Sequence, residues 1–371
     1  MDIEAEIDNH QQVSNFFKHG GNIAQEAKRL GFQPNELIDA SASLVPFPPP
    51  KEIKKCIINA LKGMDITSYP DPSLTTLRDV ISTWHGIDPS CVLPGNGAAE
   101  LITWAARDAA KHGLSILPSP GFSDYKRALK CWNSLYKQTP LPLSWDSIFP
   151  QSFPISTSSN VIWVTNPHNP TGQLWSRNSL EKLLVSNRLV ICDEAFLPLV
   201  PNGDKQSLIP LITSHSNLIV IRSLTKLFSI AGLRVGYAIS SRHRLHEWEK
   251  CRDPWPMNGL AIAVGTMLMS NQTLMNRQIQ KVQSWVSNEG AWLHSKLEGL
   301  HGIKSYPSST NFQLIHSSNS LSLLREQLAQ RKILLRDCQS FEGLGANWLR
   351  ISLKSRHENL RILDAMKEVI N

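Results

Sequence analysis

The sequence predicts an α/β protein, with a mainly parallel sheet covered by helices and a smaller α+β unit after it. Three short runs, Val161-Ile162-Trp163-Val164, Leu189-Val190-Ile191-Cys192 and Leu218-Ile219-Val220-Ile221, are apolar at every position. A strand buried on both faces has that composition, and such strands belong to parallel sheets with helical crossovers. Helix-compatible segments such as Asn178 to Leu184 lie between the runs. Each run ends in polar residues: Thr165-Asn166, Asp193-Glu194 and Arg222-Ser223. Open α/β sheets bind ligands beyond the carboxyl ends of their strands, so these polar ends should meet in one crevice.

In chain order, residues 1–45 are expected to form an N-terminal arm that contributes to the small unit and to the site. The run Pro46-Phe47-Pro48-Pro49-Pro50 closes it, because successive prolines remove backbone donors and fix φ. The large domain is expected over 46–256. After Pro254-Trp255-Pro256 a long polar helical stretch passes through Gln278 to Leu297, and an α+β remainder from Gly302 to Asn371 completes a small domain over 257–371. A chain of 371 residues is long enough for one large domain and a companion.

Composition narrows the function. The net charge of +7 comes from dispersed Lys and Arg with no continuous stripe interleaved with aromatics, which argues against nucleic acid and hints at small anionic ligands. No stretch is long and apolar enough to cross a bilayer. The acidic start Met1-Asp2-Ile3-Glu4 lacks the basic and apolar regions of a signal peptide, so the cytoplasm is the expected location. The six cysteines are scattered, without metal-ligand spacing to a histidine, so no metal is expected.

The most informative segment is Ser223-Leu224-Thr225-Lys226, followed by Gly232 and Arg234. A lysine just past a buried strand suits a phosphorylated aldehyde cofactor: the amine forms the imine, while Ser223 and Arg234 hold the phosphate. Asp193, at the end of an apolar strand, supplies a buried carboxylate that keeps a pyridine nitrogen protonated. Asn166-Pro167-His168-Asn169-Pro170-Thr171-Gly172 is a rigid turn whose Asn169 can donate to the ring's phenolic oxygen. Gly95-Asn96-Gly97-Ala98 opens a helical stretch, so the backbone at Gly97 and Ala98 forms an anion site for the phosphate. Phe122 is a candidate to stack on the ring. Singly, each has a plain alternative: a surface lysine, a turn aspartate, a core phenylalanine.

As a set, Ser223-x-x-Lys226 with Arg234, Asn-Pro-x-Asn-Pro-Thr-Gly and Asp193-Glu194-Ala195-Phe196 resemble the fold-type I pyridoxal 5'-phosphate (PLP) enzymes of the aminotransferase class I/II group. The resemblance spans nearly the whole chain. It implies the fold-type I architecture, PLP as cofactor, and a homodimer with a shared active site in which Tyr69 of Tyr69-Pro70-Asp71 reaches the partner's cofactor phosphate.

Within that group the chain is similar to the L-threonine-O-3-phosphate decarboxylases of cobalamin biosynthesis, close relatives of the histidinol-phosphate aminotransferases. His19-Gly20-Gly21-Asn22, Pro120-Gly121-Phe122, Pro254-Trp255-Pro256-Met257-Asn258, Ile333-Leu334-Leu335-Arg336-Asp337-Cys338 and Leu349-Arg350-Ile351 carry this resemblance. It implies that His19, Arg336 and Arg350 line the substrate side and grip a phosphate and a carboxylate, in either assignment. The substrate is then a small phosphorylated amino acid. Two departures stand out: Ser43 and Val45 replace asparagines usual before the proline, and Phe196 replaces a tyrosine common in aminotransferases.

The reaction is set by which bond at Cα stands perpendicular to the ring. A perpendicular carboxylate gives decarboxylation of threonine phosphate; a perpendicular Cα–H gives transamination, as on histidinol phosphate. Lys226 is the expected proton shuttle in the second and one candidate donor in the first, beside water or another group. A non-catalytic PLP-binding regulator is disfavoured, since no DNA-binding segment precedes the arm.

Overall fold

The structure is a computed structural model that describes residues 20–63, 67–158 and 160–370. His19 and the arm residues before Gly20 lie outside the described residues.

Twelve strands make two sheets among the described residues. They are β1 (Ile38–Ala40), β2 (Val92–Asn96), β3 (Ser115–Ser119), β4 (Tyr136–Pro140), β5 (Val161–Thr165), β6 (Leu189–Asp193), β7 (Leu218–Ser223), β8 (Val235–Ser240), β9 (Lys304–Tyr306), β10 (Phe312–His316), β11 (Ile333–Asp337) and β12 (Trp348–Ser352). The large sheet has the order β2-β8-β7-β6-β5-β3-β4. Its pairs from β7 through β4 are all parallel, and β8 is antiparallel to both of its neighbours. The three apolar runs are the centres of β5, β6 and β7, side by side.

Both faces of that sheet are buried, and the side-chain period of two divides them between two cores. Ile162, Val164, Val190 and Val220 face one core; Val161, Trp163, Leu189, Ile191 and Ile219 face the other. Continuous apolarity follows from helices on both sides.

The small sheet has the order β1-β11-β12-β10-β9. β1 comes from the arm and pairs parallel with β11, so the chain's beginning is stitched into its end. One face packs Ile315, Ile333, Leu335, Leu349 and Ile351 against the helices Ser322–Gln330 and Arg356–Ile370.

The helix Gly259–Ser270, capped by Asn258 Oδ1 accepting from the Ala261 amide at 2.9 Å, packs with the large sheet's layer. Its Ala261, Val264 and Leu268 share a core with Ile53, Leu77 and Ile81. The next helix, Gln272–Glu298, is 27 residues long and belongs to both units: Met275 and Val282 join the large core, Leu293 and Leu297 the small one. The large core therefore continues past the division drawn at residue 256. No helix among the described residues is long and apolar enough to cross a membrane.

Candidate active site

The carboxyl ends of β5, β6 and β7 open into a cavity of about 410 Å³, to which they contribute Thr165, Asp193 and Ser223. Strand geometry sorts the polar pairs seen in the sequence. Ser223 turns to the cavity, while Arg222 turns to the opposite face and donates to Glu194 Oε2 at 2.9 Å and to Asp204 Oδ1 at 3.1 Å. Asp193 and Glu194 divide in the same way: the first faces the site, and the second anchors a buried ion pair beneath it.

Lys226 is the second residue of the short helix Thr225–Phe228, which starts as β7 ends. Its Nζ lies 5.5 Å from the centre of the Phe196 ring. Burial, then the charges of Arg350 and Arg234, push the amine down to about 8 against the opposing effect of Asp193. An amine so placed is neutral often enough near neutral pH to act as a nucleophile.

Asp193 Oδ1 accepts from the Ala195 amide at 3.0 Å, and Oδ2 accepts from the Tyr125 hydroxyl at 3.0 Å. Burial raises its pKa to about 6, against the lowering effect of those two hydrogen bonds. Tyr125 also shares a 2.7 Å hydrogen bond with Thr165 Oγ1, and its ring meets Phe122 edge-on at 5.5 Å.

The wall opposite is an anion cradle. The helix Ala98–His112 begins after Gly97 with no side-chain cap, and Ala98 and Ala99 line the cavity, so its first amides are available to a ligand. Gly97 has φ +76°, and a Cβ there would lie 2.5 Å from Arg234 Nη2. The glycine is what lets the guanidinium lie against the turn. Arg234 itself sits in the left-handed region at φ 59° and ψ 65°, which aims it inward.

The small sheet closes the cavity with two arginines. Arg336 on β11 and Arg350 on β12 are register partners and are 7% and 5% exposed. Arg350 donates to Asn169 Oδ1 and, at 3.3 Å, to the Ser41 carbonyl. The bond to the amide oxygen orients Asn169 so that its nitrogen is the end left to donate. Arg336 donates to Ser340 Oγ at 2.6 Å. Burial first, and Arg336 next, push Arg350 down to about 9; burial lowers Arg336 as well. Among the described residues no carboxylate lies within ion-pair distance of Arg350.

The structure thus gathers Ala98, Phe122, Asn169, Asp193, Ser223, Lys226, Arg234, Arg336 and Arg350 around one cavity, with Gly97 shaping its wall. Tyr69 stands apart. It is 75% exposed and stacks on Trp255 at 4.1 Å with 21° between planes. His19 lies outside the described residues, although its neighbour Gly20 lines the cavity. Of the two residues that stand in place of asparagines, Ser43 faces the cavity and meets Ser352 Oγ at 3.0 Å, whereas Val45 is buried in the large core.

Sequence reasoning missed Tyr125, Ser41 and Phe341. Tyr125 had a signal, being one helical turn from Phe122. Ser41 had none, because it acts through its carbonyl. Phe341 reaches the site by long-range folding.

The family model for aminotransferase class I and II matches residues 35–366. The chain belongs to the aminotransferase class I and II family. Two relatives illustrate its range. The threonine-phosphate decarboxylase of Salmonella typhimurium is 29% identical over 359 residues, covering 95% of this chain and 96% of that one. The histidinol-phosphate aminotransferase of Thermoanaerobacter pseudethanolicus is 30% identical over 336 residues, covering 89% and 92%. The crystal structure of L-threonine-O-3-phosphate decarboxylase from Porphyromonas gingivalis has the same fold, with a TM-score of 0.76 at 22% identity over 88% of this chain and 98% of that one.

The cofactor of this aminotransferase class I and II protein is PLP. The residues present fit it: a lysine amine for the aldehyde, a buried carboxylate for the ring nitrogen, and a cradle of uncapped amides that a Cβ at Gly97 would fill. A ring of that size also has the flat wall of Phe122 beside it.

Proposed function

We propose that the protein removes CO2 from L-threonine O-3-phosphate to give (R)-1-amino-2-propanol O-2-phosphate, a step of cobalamin biosynthesis. The observation that carries this reading is the arginine pair. Two buried guanidiniums face one cavity that also holds Lys226 and Asp193, and a small amino acid bearing both a phosphate and a carboxylate matches them. The full-length similarity to a threonine-phosphate decarboxylase supports it.

Bound PLP supplies an electron sink for the pair released when a bond at Cα breaks. The chain's own residues set the rest. Lys226 Nζ holds the aldehyde and returns a proton to Cα. Asp193 holds a proton at the ring nitrogen, oriented by the Ala195 amide and the Tyr125 hydroxyl. Asn169, fixed by Arg350, donates to the ring oxygen, and with Phe196 in place of a tyrosine it is the main side-chain donor there. Ser223, Arg234 and the uncapped amide of Ala98 would bind the cofactor phosphate, with Gly97, whose own amide donates to the Gly95 carbonyl at 2.7 Å, shaping the turn, while Phe122 would stack on the ring. Arg336, Arg350 and His19 would bind the substrate's anionic groups and so orient its bonds at Cα.

The protein acts as a homodimer in this reading, with Tyr69 reaching the partner's cofactor phosphate, and it works in the cytoplasm. The functional division runs through an arm at 1–45, a large unit at 46–256 and a small unit at 257–371, with the helix Gly259–Ser270 packed on the large unit.

Purified protein given threonine phosphate should release CO2 with no keto acid present. The alternative reading is an aminotransferase for a phosphorylated amine such as histidinol phosphate, favoured by the 30% identical relative. Amino transfer to 2-oxoglutarate without CO2 release would establish that alternative and end the first.

A further inference from the structure

Phe341 was assigned no role by the sequence, yet the structure brings both site arginines over its ring. It is 2% exposed and lines the cavity. The Arg336 guanidinium carbon lies 5.2 Å from the ring centre, and that of Arg350 lies 5.7 Å from the same centre. Arg350 has a second ring beneath it, Phe312 at 4.7 Å. The neighbouring residue Ser340 accepts from Arg336 Nη2, so one short loop touches Arg336 at two points.

The loop is itself held from outside the small sheet. Ser119 Oγ, at the end of β3, donates to the Glu342 carbonyl at 2.7 Å, and Lys126 pairs with the Glu342 carboxylate. Gly343, at φ +93°, lies so close to Ser119 that a Cβ there would be 3.0 Å from its Oγ. The ring is therefore fixed to the large unit, not only to the strands that carry the arginines.

Two like charges directly opposite on a ladder repel. Arg350 is anchored by Asn169 and the Ser41 carbonyl and Arg336 by Ser340, but none of these contacts touches both side chains. The electron-rich face of an aromatic ring attracts a cation within about 6 Å, and one ring can serve both guanidiniums. We propose that Phe341 is a positioning residue that holds Arg336 and Arg350 at a fixed separation, and so sets affinity for a substrate with two anionic groups. This deepens the reading given above, because it concerns the same arginines.

The test uses the holoenzyme and inorganic phosphate as the probe, so that it does not depend on which reaction is catalysed. Phe341→Leu keeps apolar bulk and removes the ring face. Its phosphate dissociation constant, measured by calorimetry, should rise about fivefold or more, with the lysine-bound cofactor's visible band unchanged and the melting temperature lowered by only a few degrees. With threonine phosphate as substrate, KM should rise by a similar factor while kcat stays within about twofold, the pattern of lost ground-state anion binding. Unchanged phosphate affinity overturns the proposal, as does an equal loss in kcat with a shifted cofactor band.

If Phe341→Leu fails to fold, Ser340→Ala decides. It removes one of the loop's two holds on Arg336, and the proposal requires weaker phosphate binding there too. Wild-type affinity in Ser340→Ala overturns it. Absence of CO2 release from the wild type refutes the decarboxylase reading alone and leaves the phosphate result standing.

Discussion

Arg336 and Arg350 stand directly opposite each other across the β11/β12 ladder, both nearly buried and both facing the same cavity. Like charges so close repel each other, and the two side chains are kept in place by different contacts. Arg350 spans from Asn169 to the Ser41 carbonyl, using the breadth of the guanidinium fork. A lysine has the charge but not the fork. Arg350→Lys should therefore lower kcat/KM at least about tenfold to a hundredfold, corresponding to roughly 1.4 to 3 kcal/mol of transition-state stabilisation. Steady-state kinetics with the phosphorylated substrate checks this, and full activity in the lysine variant would count against Arg350 as a substrate ligand.

Asp193 gives a pH-dependent prediction about the cofactor-free protein. Its folded pKa of about 6 lies above the ordinary 3.8, because burial disfavours the charged form. Below pH 4 the group is protonated whether the chain is folded or not, and it makes no difference to stability. As pH rises from 4 to 6 the unfolded chain loses the proton first, so stability falls; above 6 the full penalty, roughly 3 kcal/mol at most, is present. Asp193→Asn removes that penalty. The cofactor-free variant should melt higher than cofactor-free wild type at pH 8, with the gap closing towards pH 4, while the loaded variant loses about 10²-fold or more in kcat. A gap that does not depend on pH would show that Asp193 is not a buried titrating group.

Lys226 titrates at higher pH than Asp193. Its amine is pushed down to about 8, so the neutral form needed to bond the aldehyde grows in as pH passes that value. The rate at which cofactor-free protein regains its visible imine band on adding PLP should rise with pH and be half-maximal near 8. A midpoint close to the ordinary lysine value of 10.5 would mean that the amine is not enclosed as described. Lys226→Ala should lose the band and the activity together.

Gly97 is a prediction about shape. Alanine there meets two obstacles, a left-handed φ of +76° and the Arg234 guanidinium 2.5 Å away. The backbone term alone is about 1 kcal/mol or more for a residue with a Cβ held in that region. The displaced guanidinium should weaken PLP binding further, so the PLP dissociation constant of Gly97→Ala, read by spectral titration, should rise about tenfold or more. Unchanged affinity would separate Arg234 from the phosphate.

Residues at the ends of strands were the ones legible in the sequence. Asp193, Ser223 and Lys226 follow runs of continuous apolarity, and β-strand geometry carries such neighbours to one edge whatever the rest of the fold does. Asn169 was legible because prolines on both sides fix its turn. Residues that reach the site across the chain were not. Phe341 lines the same cavity as Phe122, and its neighbour Glu342 is tied to Ser119, more than two hundred positions earlier. Ser41 contributes a carbonyl, which every residue has. The helix Gly259–Ser270 follows a proline-rich break, yet its apolar face completes the large core, since a break in local propensity does not decide which surface a helix covers.

Tyr69 carries the last prediction. It is exposed, stacks on Trp255 and is not among the residues that line the cavity of its own chain. If it serves the site of a second copy, the two defects Tyr69→Ala and Lys226→Ala should complement in mixed dimers. A subunit with Lys226→Ala keeps its tyrosine, and its Tyr69→Ala partner keeps its lysine, so the partner's site regains a complete set of groups. Mixing the two variants under conditions that exchange subunits should give activity well above that of either parent, about a quarter of wild type if exchange is random and complete, since mixed dimers are half of the population and each has one intact site. Activity that remains at the average of the two parents, with mixed dimers shown by mass spectrometry, would mean that each chain builds its site alone.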